Sequence, residues 1–166
     1  FVGKDWKRKG LPFILSVKDI LIEMGYRVLV RAIGNCPDEL LTHPDLEYTG
    51  LIDKKTETDT FVSVISSCDI GCLFSESEAL GISVLEFLRV GVPVAGFYHQ
   101  GMKDTLLEGA SMRFSIDQTP QNVAKTVEEY ILQNEKLHKM RIKAWEYSQF
   151  VTWERCVDQW KGVLNG

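Results

Sequence analysis

The chain has 166 residues, 45% of them hydrophobic and 25% charged, and its formal net charge is −4. This composition is typical of one globular domain with a substantial core, and the negative charge argues against nucleic-acid binding through bulk charge. No apolar run approaches the ~20 residues that a membrane-spanning helix needs. The sequence starts at Phe1 rather than Met, and residues 1–3 resemble the end of a strand, so we expect a piece of a longer protein.

Helical and β-rich segments alternate over the first 116 residues. Apolar residues recur at helical spacing in some segments, and short runs rich in branched and aromatic residues separate them. The predicted helices cover residues 9–24, 37–41, 58–67, 83–90 and 103–107. The predicted strands cover residues 1–3, 27–33, 46–52, 69–74, 92–97 and 113–116. This alternation indicates βαβ units with right-handed crossovers, so the predicted fold is α/β, a Rossmann-like doubly wound parallel sheet with helices on both faces.

The segment from Thr119 onward is predicted to be helical. Thr119 is a preferred N-cap residue, and Pro120 suits the first helical position. Two further helices are predicted at residues 135–149 and 153–164. Five aromatic residues crowd this part of the chain: Trp145, Tyr147, Phe150, Trp153 and Trp160. They either complete the core or form a surface that docks onto another domain.

The cysteines show no metal-site spacing. Cys68 and Cys72 have neither a second pair nor a neighbouring histidine cluster, which a zinc site would require. We therefore interpret the four cysteines as thiols in a reducing compartment and expect neither a metal nor another cofactor.

A basic loop follows the first predicted strand. Residues 3–10 read G-K-D-W-K-R-K-G, with four cations between two glycines. Because ligands of doubly wound sheets bind outside the carboxyl ends of the strands, this position favours a diphosphate site. The alternative is an ordinary solvated surface loop.

The stretch from residue 74 to residue 93 combines a strand end, a glycine turn and the start of a helix. Unpaired N–H groups at a helix N-terminus bind anions, so the turn at Gly81 is a candidate phosphate site. Glu78 and Glu86 flank this turn and suggest a ligand that also carries hydroxyls. Glu86 lies among apolar residues, where a carboxylate needs a partner, although exposed surface positions are the alternative for both glutamates.

Residues 78–95, E-A-L-G-I-S-V-L-E-F-L-R-V-G-V-P-V-A, resemble the E-x(seven)-E motif of retaining glycosyltransferases with the GT-B architecture, especially glycosyltransferase family 4 (glycosyl transferases group 1). The opening F-V-G-K-D-W-K-R-K-G resembles the V-G-R-x-x-x-x-K-G loop of that family. Further similar pieces are A-I-G-N, Y-T-G-L-I-D, S-S-C-D-I-G-C-L-F-S and F-V-T-W-E-R. The resemblance covers essentially the whole chain.

The resemblance implies a two-domain enzyme whose C-terminal domain holds a nucleotide-sugar donor. Residues 1–166 would be that single nucleotide-sugar-binding domain, one half of a GT-B fold, without the N-terminal domain that binds the acceptor. Glu78 matches the catalytic glutamate at the donor sugar, and Glu86 matches the glutamate that binds the ribose. Ile52 matches an apolar residue that contacts the base. The residues matched to the diphosphate site are Lys4, Lys9, Gly81, Ile82 and Ser83.

The chain departs from the family pattern at three places. Lys4 stands where arginine is usual, so a bidentate phosphate contact becomes a point charge. Ala79 and Leu80 replace a glycine–aromatic pair beside the sugar position. The segment 98–101, Y-H-Q-G, replaces a glycine-rich turn, and Asp104 replaces a glutamate. The donor base, the sugar and the acceptor therefore stay open.

The resemblance implies metal-independent transfer of a hexose with retention of configuration, in polysaccharide or glycan synthesis. Fixed cations and helix N–H groups would stabilise the leaving diphosphate, with Glu78 as nucleophile or as electrostatic stabiliser. The expected partners are a nucleoside-diphosphate sugar and the N-terminal domain, in the cytoplasm or at the inner face of the membrane, with no nucleic acid. The isolated chain should bind the nucleotide without transferring sugar. The alternatives are a non-catalytic Rossmann-like binding domain and a related GT-B phosphorylase or epimerase.

Overall fold

Strands and helices alternate along residues 1–164, the part of the chain that this computed structural model describes. The strands in this part are β1 (Val2–Gly3), β2 (Val30–Gly34), β3 (Leu46–Gly50), β4 (Gly71–Leu73), β5 (Val94–Phe97) and β6 (Ser111–Phe114). The helices are α1 (Leu11–Glu23), α2 (Asp38–Leu41), α3 (Thr58–Ser66), α4 (Ile82–Arg89), α5 (Met102–Thr105), α6 (Pro120–Leu132), α7 (Asn134–Ser148) and α8 (Trp153–Leu164). Every predicted element is present, with its bounds shifted by up to three residues.

The strand pairs are parallel, as predicted, but they form two three-stranded sheets, which we call ladders, rather than one continuous sheet. One ladder has the order β1-β2-β3 and the other has the order β4-β5-β6. Val2 lies opposite Ile33 in the first ladder, and Val94 lies opposite Ser111 in the second. Within residues 1–164 no hydrogen-bonded ladder joins β1 to β4, and the two residues of β1 pair with β2.

Side chains that alternate along the strands contribute to two core layers, one on each face. Ala32, Phe74 and Ala95 belong to the first layer, whereas Ile33 and Leu73 belong to the second. Both layers contain residues of both ladders, so the strands act as one central layer. Helices α1 and α6 cover the first face, and α3 and α4 cover the second. The prediction of a parallel α/β fold with helices on both faces is confirmed.

A cluster of phenylalanines lies beneath the carboxyl ends of the central strands. The ring centroid of Phe13 lies 4.8 Å from that of Phe74 and 5.1 Å from that of Phe97. Phe74 also packs against Phe114, with ring centroids 5.8 Å apart. Burying one such ring contributes roughly 1.5–3 kcal/mol, so the cluster gives the loops above it a rigid base.

Glycines in the left-handed conformation set the starts of two helices. Gly10 has φ 81° and precedes α1, and Gly81 has φ 73° and precedes α4. Both values lie in the region that residues with a side chain rarely adopt. The predicted N-cap of α6 is confirmed, because Thr119 Oγ1 accepts a hydrogen bond from the Asn122 N–H at 3.3 Å.

The aromatic residues of the C-terminal helices are mostly exposed. No residue of α8 is buried, and the exposed fractions of Trp153 and Trp160 are 82% and 62%. Trp145 and Phe150 are also exposed, whereas Tyr147 packs against the second core layer. Of the two alternatives for this cluster, the core position therefore applies to Tyr147 and the surface position to the other four residues. Within the described residues no helix is both long and apolar enough to cross a membrane.

Replacement of Gly10 by alanine is expected to destabilise the fold. The new Cβ would overlap the Phe74 carbonyl, and φ is 81°. We expect a loss of about 1 kcal/mol from the backbone strain and about 1–3 kcal/mol more from the overlap. Gly25→Ala is the matched control, because its φ is 95° and nothing lies within 4 Å of the added Cβ. Urea denaturation measures both free energies of unfolding, and equal losses for the two variants would contradict the prediction.

Candidate functional site

Three loops meet at the carboxyl ends of β1, β4 and β5, where the doubly wound fold places ligands. We call them the first loop (residues 4–10), the Glu78 loop (residues 75–81) and the Gln100 loop (residues 98–101). The Glu76 N–H donates to the Arg8 carbonyl at 2.9 Å, and the Gly101 N–H donates to the Glu78 carbonyl at 3.2 Å. The Glu78 loop is therefore bonded to both of its neighbours through the main chain.

The centre of the site is an ion pair between the first loop and the Glu78 loop. Lys9 Nζ lies 3.0 Å from Glu78 Oε2, and the side chains are only 16% and 14% exposed. The stem of Lys9 passes over Gly3, where an added Cβ would lie 2.5 Å from Lys9 Cδ. The glycine at the end of β1 thus leaves the space that the lysine needs. The structure brings together the predicted diphosphate cation and the predicted catalytic carboxylate.

Arg8 is a second cation of this site that the sequence analysis did not assign. Its guanidinium lies 3.6 Å from Glu78 Oε2 and donates to the Ser77 carbonyl and to Ser75 Oγ. Its Nε also donates to Asp5 at 2.9 Å. Hydrogen bonds from the backbone N–H and the side chain of Arg8 lower the pKa of Asp5. The run of four cations predicts a basic loop, but the family pattern matches only Lys4 and Lys9 to the diphosphate site.

Lys4 lies at the exposed start of the first loop and has no ion-pair partner within residues 1–164. The structure therefore places it on the same loop as Lys9 but does not bring it into the pair with Glu78. Because Lys4 is exposed, its ammonium is accessible to a ligand from solvent.

The turn at Gly81 presents the start of α4 to the same region. A Cβ on Gly81 would lie 2.6 Å from Met102 Sδ, so the turn packs closely against α5. The main-chain N–H groups of Ile82 and Ser83 have no partner inside the helix, whereas the Val84 N–H donates to the Gly81 carbonyl at 2.8 Å. The buried Ser83 Oγ has no hydrogen-bond partner in the described part of the chain. Free N–H donors at a helix N-terminus are the kind of group that can bind an anion.

Glu86 has the partner that its apolar surroundings require. Lys54, from the loop after β3, donates to Glu86 Oε1. The Lys54 ammonium also lies 4.4 Å from the centroid of the Phe61 ring. The Glu86 side chain is 22% exposed, and its Oε2 is buried without a partner among the described residues. Ile52 is half-buried against the second core layer in the same loop.

The apolar neighbours of Glu86 in the sequence predict a partner, but they do not identify it as Lys54. The two residues are separated by 32 positions and come together only through the fold. Glu86 also borders a cavity of about 220 Å³ between α4 and the end of α7. The two glutamates of the motif are thus each held by a lysine from an earlier loop.

No metal-binding cluster is present in the described part of the chain, since no three His, Cys, Asp or Glu side chains are grouped so that they could hold an ion. The cysteines are free and half-buried. Burial raises the pKa of the Cys72 thiol to about 11, so this group is protonated at neutral pH. Metal independence itself stays a prediction.

The family model for glycosyl transferases group 1 matches residues 47–146, more than half of the chain. The chain therefore belongs to this family. An uncharacterized glycosyltransferase of Haemophilus influenzae is 25% identical over 171 aligned positions, covering 98% of this chain and 47% of that protein. An uncharacterized glycosyltransferase of Methanocaldococcus jannaschii is 24% identical, covering 95% of this chain and 44% of that protein. The chain thus spans somewhat less than half the length of these curated relatives.

Solved structures with the same fold include TarM, the O-GlcNAc transferase GtfA and HepE. TarM of S. aureus matches with a TM-score of 0.78 and 11% identity, over 100% of this chain and 34% of TarM. The pneumococcal O-GlcNAc transferase GtfA, in complex with UDP and GlcNAc, matches with a TM-score of 0.75 and 15% identity. The match covers 99% of this chain and 34% of GtfA. Anabaena HepE, in complex with UDP-glucose, matches with a TM-score of 0.69 and 15% identity. The match covers 89% of this chain and 43% of HepE. At these identities the likeness establishes the fold, which is one half of GT-B.

Removal of the Lys54 ammonium is expected to destabilise the protein. In Lys54→Met, Glu86 loses the donor to Oε1 while Oε2 already has no partner in the described structure. We expect a loss of about 1–3 kcal/mol, as for other carboxylates left with unsatisfied oxygens. The control is Lys55→Met in the same exposed loop, whose side chain makes no ion pair within residues 1–164. Equal unfolding free energies for the two variants in urea would show that the pair contributes nothing.

Proposed function

We propose that this chain is the donor-binding half of a retaining, metal-independent hexosyltransferase of glycosyltransferase family 4. The observation that carries the proposal is the 3.0 Å pair of Lys9 and Glu78 next to the N-terminus of α4. Cations, a carboxylate and outward N–H groups are the chemistry that a nucleoside-diphosphate sugar requires. The structures of HepE with UDP-glucose and of GtfA with UDP support the same ligand class.

The diphosphate would bind between the first loop and the start of α4. Lys9 carries three N–H donors, so it can hold Glu78 and a phosphate oxygen at the same time. Lys4 would add a second positive charge, and the Gly81, Ile82 and Ser83 turn would add main-chain and hydroxyl donors. As the bond to the sugar breaks, charge develops on the leaving diphosphate and these fixed groups stabilise it. This arrangement supplies the charge stabilisation for which other enzymes use a divalent metal.

Glu78 would face the donor sugar and stabilise the positive charge that develops there, or attack it as a nucleophile. Glu86 would accept hydrogen bonds from the ribose hydroxyls, and Ile52 would contact the base. A carboxylate oxygen has two lone pairs, so Oε1 of Glu86, which accepts from Lys54, can also accept from a ribose hydroxyl.

The acceptor would bind to an N-terminal domain, in a full-length enzyme of the cytoplasm or of the inner face of the membrane. Two observations support a partner domain. The chain spans 47% and 44% of the curated relatives, and the exposed indoles of Trp153 and Trp160 offer an apolar surface. The isolated chain would then bind nucleotide without transferring sugar.

Nucleotide titration tests the donor-binding role. We expect UDP, GDP or ADP to release or absorb heat on binding to the isolated chain in calorimetry without added metal. Lys9→Ala should weaken that binding by roughly 1.5–3 kcal/mol, the value of a charge-assisted hydrogen bond. Lys7→Ala is the control, since Lys7 is exposed on the same loop and makes no ion pair within residues 1–164. No heat with any of the three nucleotides would overturn the proposal.

Substitution of Glu78 tests the catalytic role in the full-length protein. Glu78→Ala should abolish sugar transfer and leave nucleotide binding intact, because the carboxylate acts on the sugar rather than on the diphosphate. Nucleotide binding by a wild-type protein that transfers no sugar would instead identify a non-catalytic binding domain. Dependence on inorganic phosphate as co-substrate would identify a phosphorylase.

A further inference from the structure

We propose that Gln100 is a positioning residue that holds the main chain of Glu78, and through it the carboxylate, at the donor sugar. This inference rests on the proposed function, because it assigns Gln100 to the same site. The residue lies in the Gln100 loop, where the chain departs from the glycine-rich turn that the family resemblance leads one to expect.

Both polar main-chain groups of Glu78 are bound by the Gln100 loop. Gln100 Oε1 accepts a hydrogen bond from the Glu78 N–H at 3.0 Å. The Gly101 N–H donates to the Glu78 carbonyl at 3.2 Å. The orientation of the Gln100 amide follows from chemistry, since an N–H donor must face the oxygen and not the nitrogen. Two successive residues thus fix one peptide unit on each side of Glu78.

The backbone of Gln100 is strained in a way that a glycine would not be. Its φ is 45°, and Asp45 is the other non-glycine residue with a positive φ in the described part of the chain. Such a conformation persists where the surroundings impose it, and it often marks a functional position. Gly101 also has no room for a side chain, because an added Cβ would overlap the Ala79 carbonyl. The strained conformation of Gln100 therefore occurs together with a side-chain hydrogen bond that a glycine could not make.

A separate contact anchors the Gln100 loop. His99 Nε2 lies 2.8 Å from the Ser75 carbonyl, and because a carbonyl only accepts, Nε2 carries the hydrogen. The loop therefore stays attached to the start of the Glu78 loop when the Gln100 side chain is changed. Loss of that side chain would release the Glu78 N–H specifically.

The contacts from Gln100 and Gly101 are neutral, and this gives them a distinct role. Lys9 and Arg8 hold the Glu78 carboxylate by charge, and a bound diphosphate would share the same cations, which weakens their attraction for Glu78. The diphosphate has no comparable attraction for an amide oxygen that already accepts an N–H. When the donor is bound, Gln100 and Gly101 therefore hold the main chain of Glu78 as firmly as before, although the cations are shared.

Three variants of the full-length protein separate positioning from folding. Gln100→Met keeps the length of the side chain but has no strong acceptor, whereas Gln100→Glu keeps an acceptor oxygen. Gln100→Gly removes the acceptor and also relieves the positive φ. The measurements are hydrogen exchange of the Glu78 amide, UDP, GDP and ADP binding, the melting temperature Tm, and kcat and KM for hydrolysis of UDP-glucose, GDP-mannose and ADP-glucose.

We expect Gln100→Met to speed exchange of the Glu78 amide and to lower kcat ~10- to 100-fold, since small misplacements of a reacting group have effects of this size. KM and nucleotide binding should stay at the wild-type values. Gln100→Gly should lose kcat equally while its Tm is unchanged or higher. Gln100→Glu should restore slow exchange and part of kcat.

If exchange of the Glu78 amide is unchanged in Gln100→Met, the hydrogen bond from Glu78 to Gln100 does not exist in solution. If that exchange is faster but kcat stays at the wild-type value, Gln100 has no positioning role. A Tm of Gln100→Gly that falls together with kcat would show a purely structural role and overturn the inference. Failure of the proposed function gives a different result, namely a wild-type protein that binds none of the three nucleotides. The exchange measurement still decides whether Gln100 holds Glu78 in that case.

Discussion

The ion pair of Lys9 and Glu78 joins residues that are 69 positions apart, and its 3.0 Å separation depends on how closely two strand ends approach each other. Gly3 leaves the path over which the lysine stem runs, and Gly10 lies directly against the Phe74 carbonyl. A side chain at Gly10 would push the loops apart and one at Gly3 would displace the Lys9 stem, so the pair depends on the backbone geometry at these two glycines. The other features of the site are arranged around this contact.

Charged and neutral contacts have different tasks at this site. Lys9, Arg8 and Lys54 hold carboxylates through partly exposed ion pairs, and an anionic ligand can therefore reach and share these cations. The main-chain bonds from the Gln100 loop and the buried phenylalanine cluster are not open to such exchange. A ligand can therefore rearrange the charges while the frame that carries them keeps its shape.

Periodicity and turn chemistry predicted most of the fold, because these signals are local. Helices α1 and α4 each follow a residue in the left-handed conformation, and both residues, Gly10 and Gly81, are glycines that can be read directly from the sequence. The division of the strands into two ladders was not predicted, since hydrogen bonding between strands depends on long-range register. The exposure of Trp153 was also left open, because an amphipathic pattern indicates an apolar face without saying what covers it.

The site was predicted where chemistry leaves few choices. A carboxylate among apolar residues needs a partner, so the requirement at Glu86 was predictable, but the identity of Lys54 was set by the path of the loop after β3. Arg8 is one of four cations in the first loop, and the sequence does not distinguish it from Lys7. The structure does, because Arg8 binds the Glu78 loop and Lys7 is exposed. Local composition thus identified the kinds of group at the site, and the tertiary fold determined which of them touch.

The exposed face of α8 has a consequence for how the isolated chain behaves in solution. Trp153, Val157, Trp160 and Val163 all present apolar surface to water. An added fluorescence quencher reaches the indoles of Trp153 and Trp160 while α8 is uncovered, so protection of their emission would report the docking of another surface onto this face. Such docking would leave the mouth of the sheet free, because α8 contributes none of the residues of the three loops.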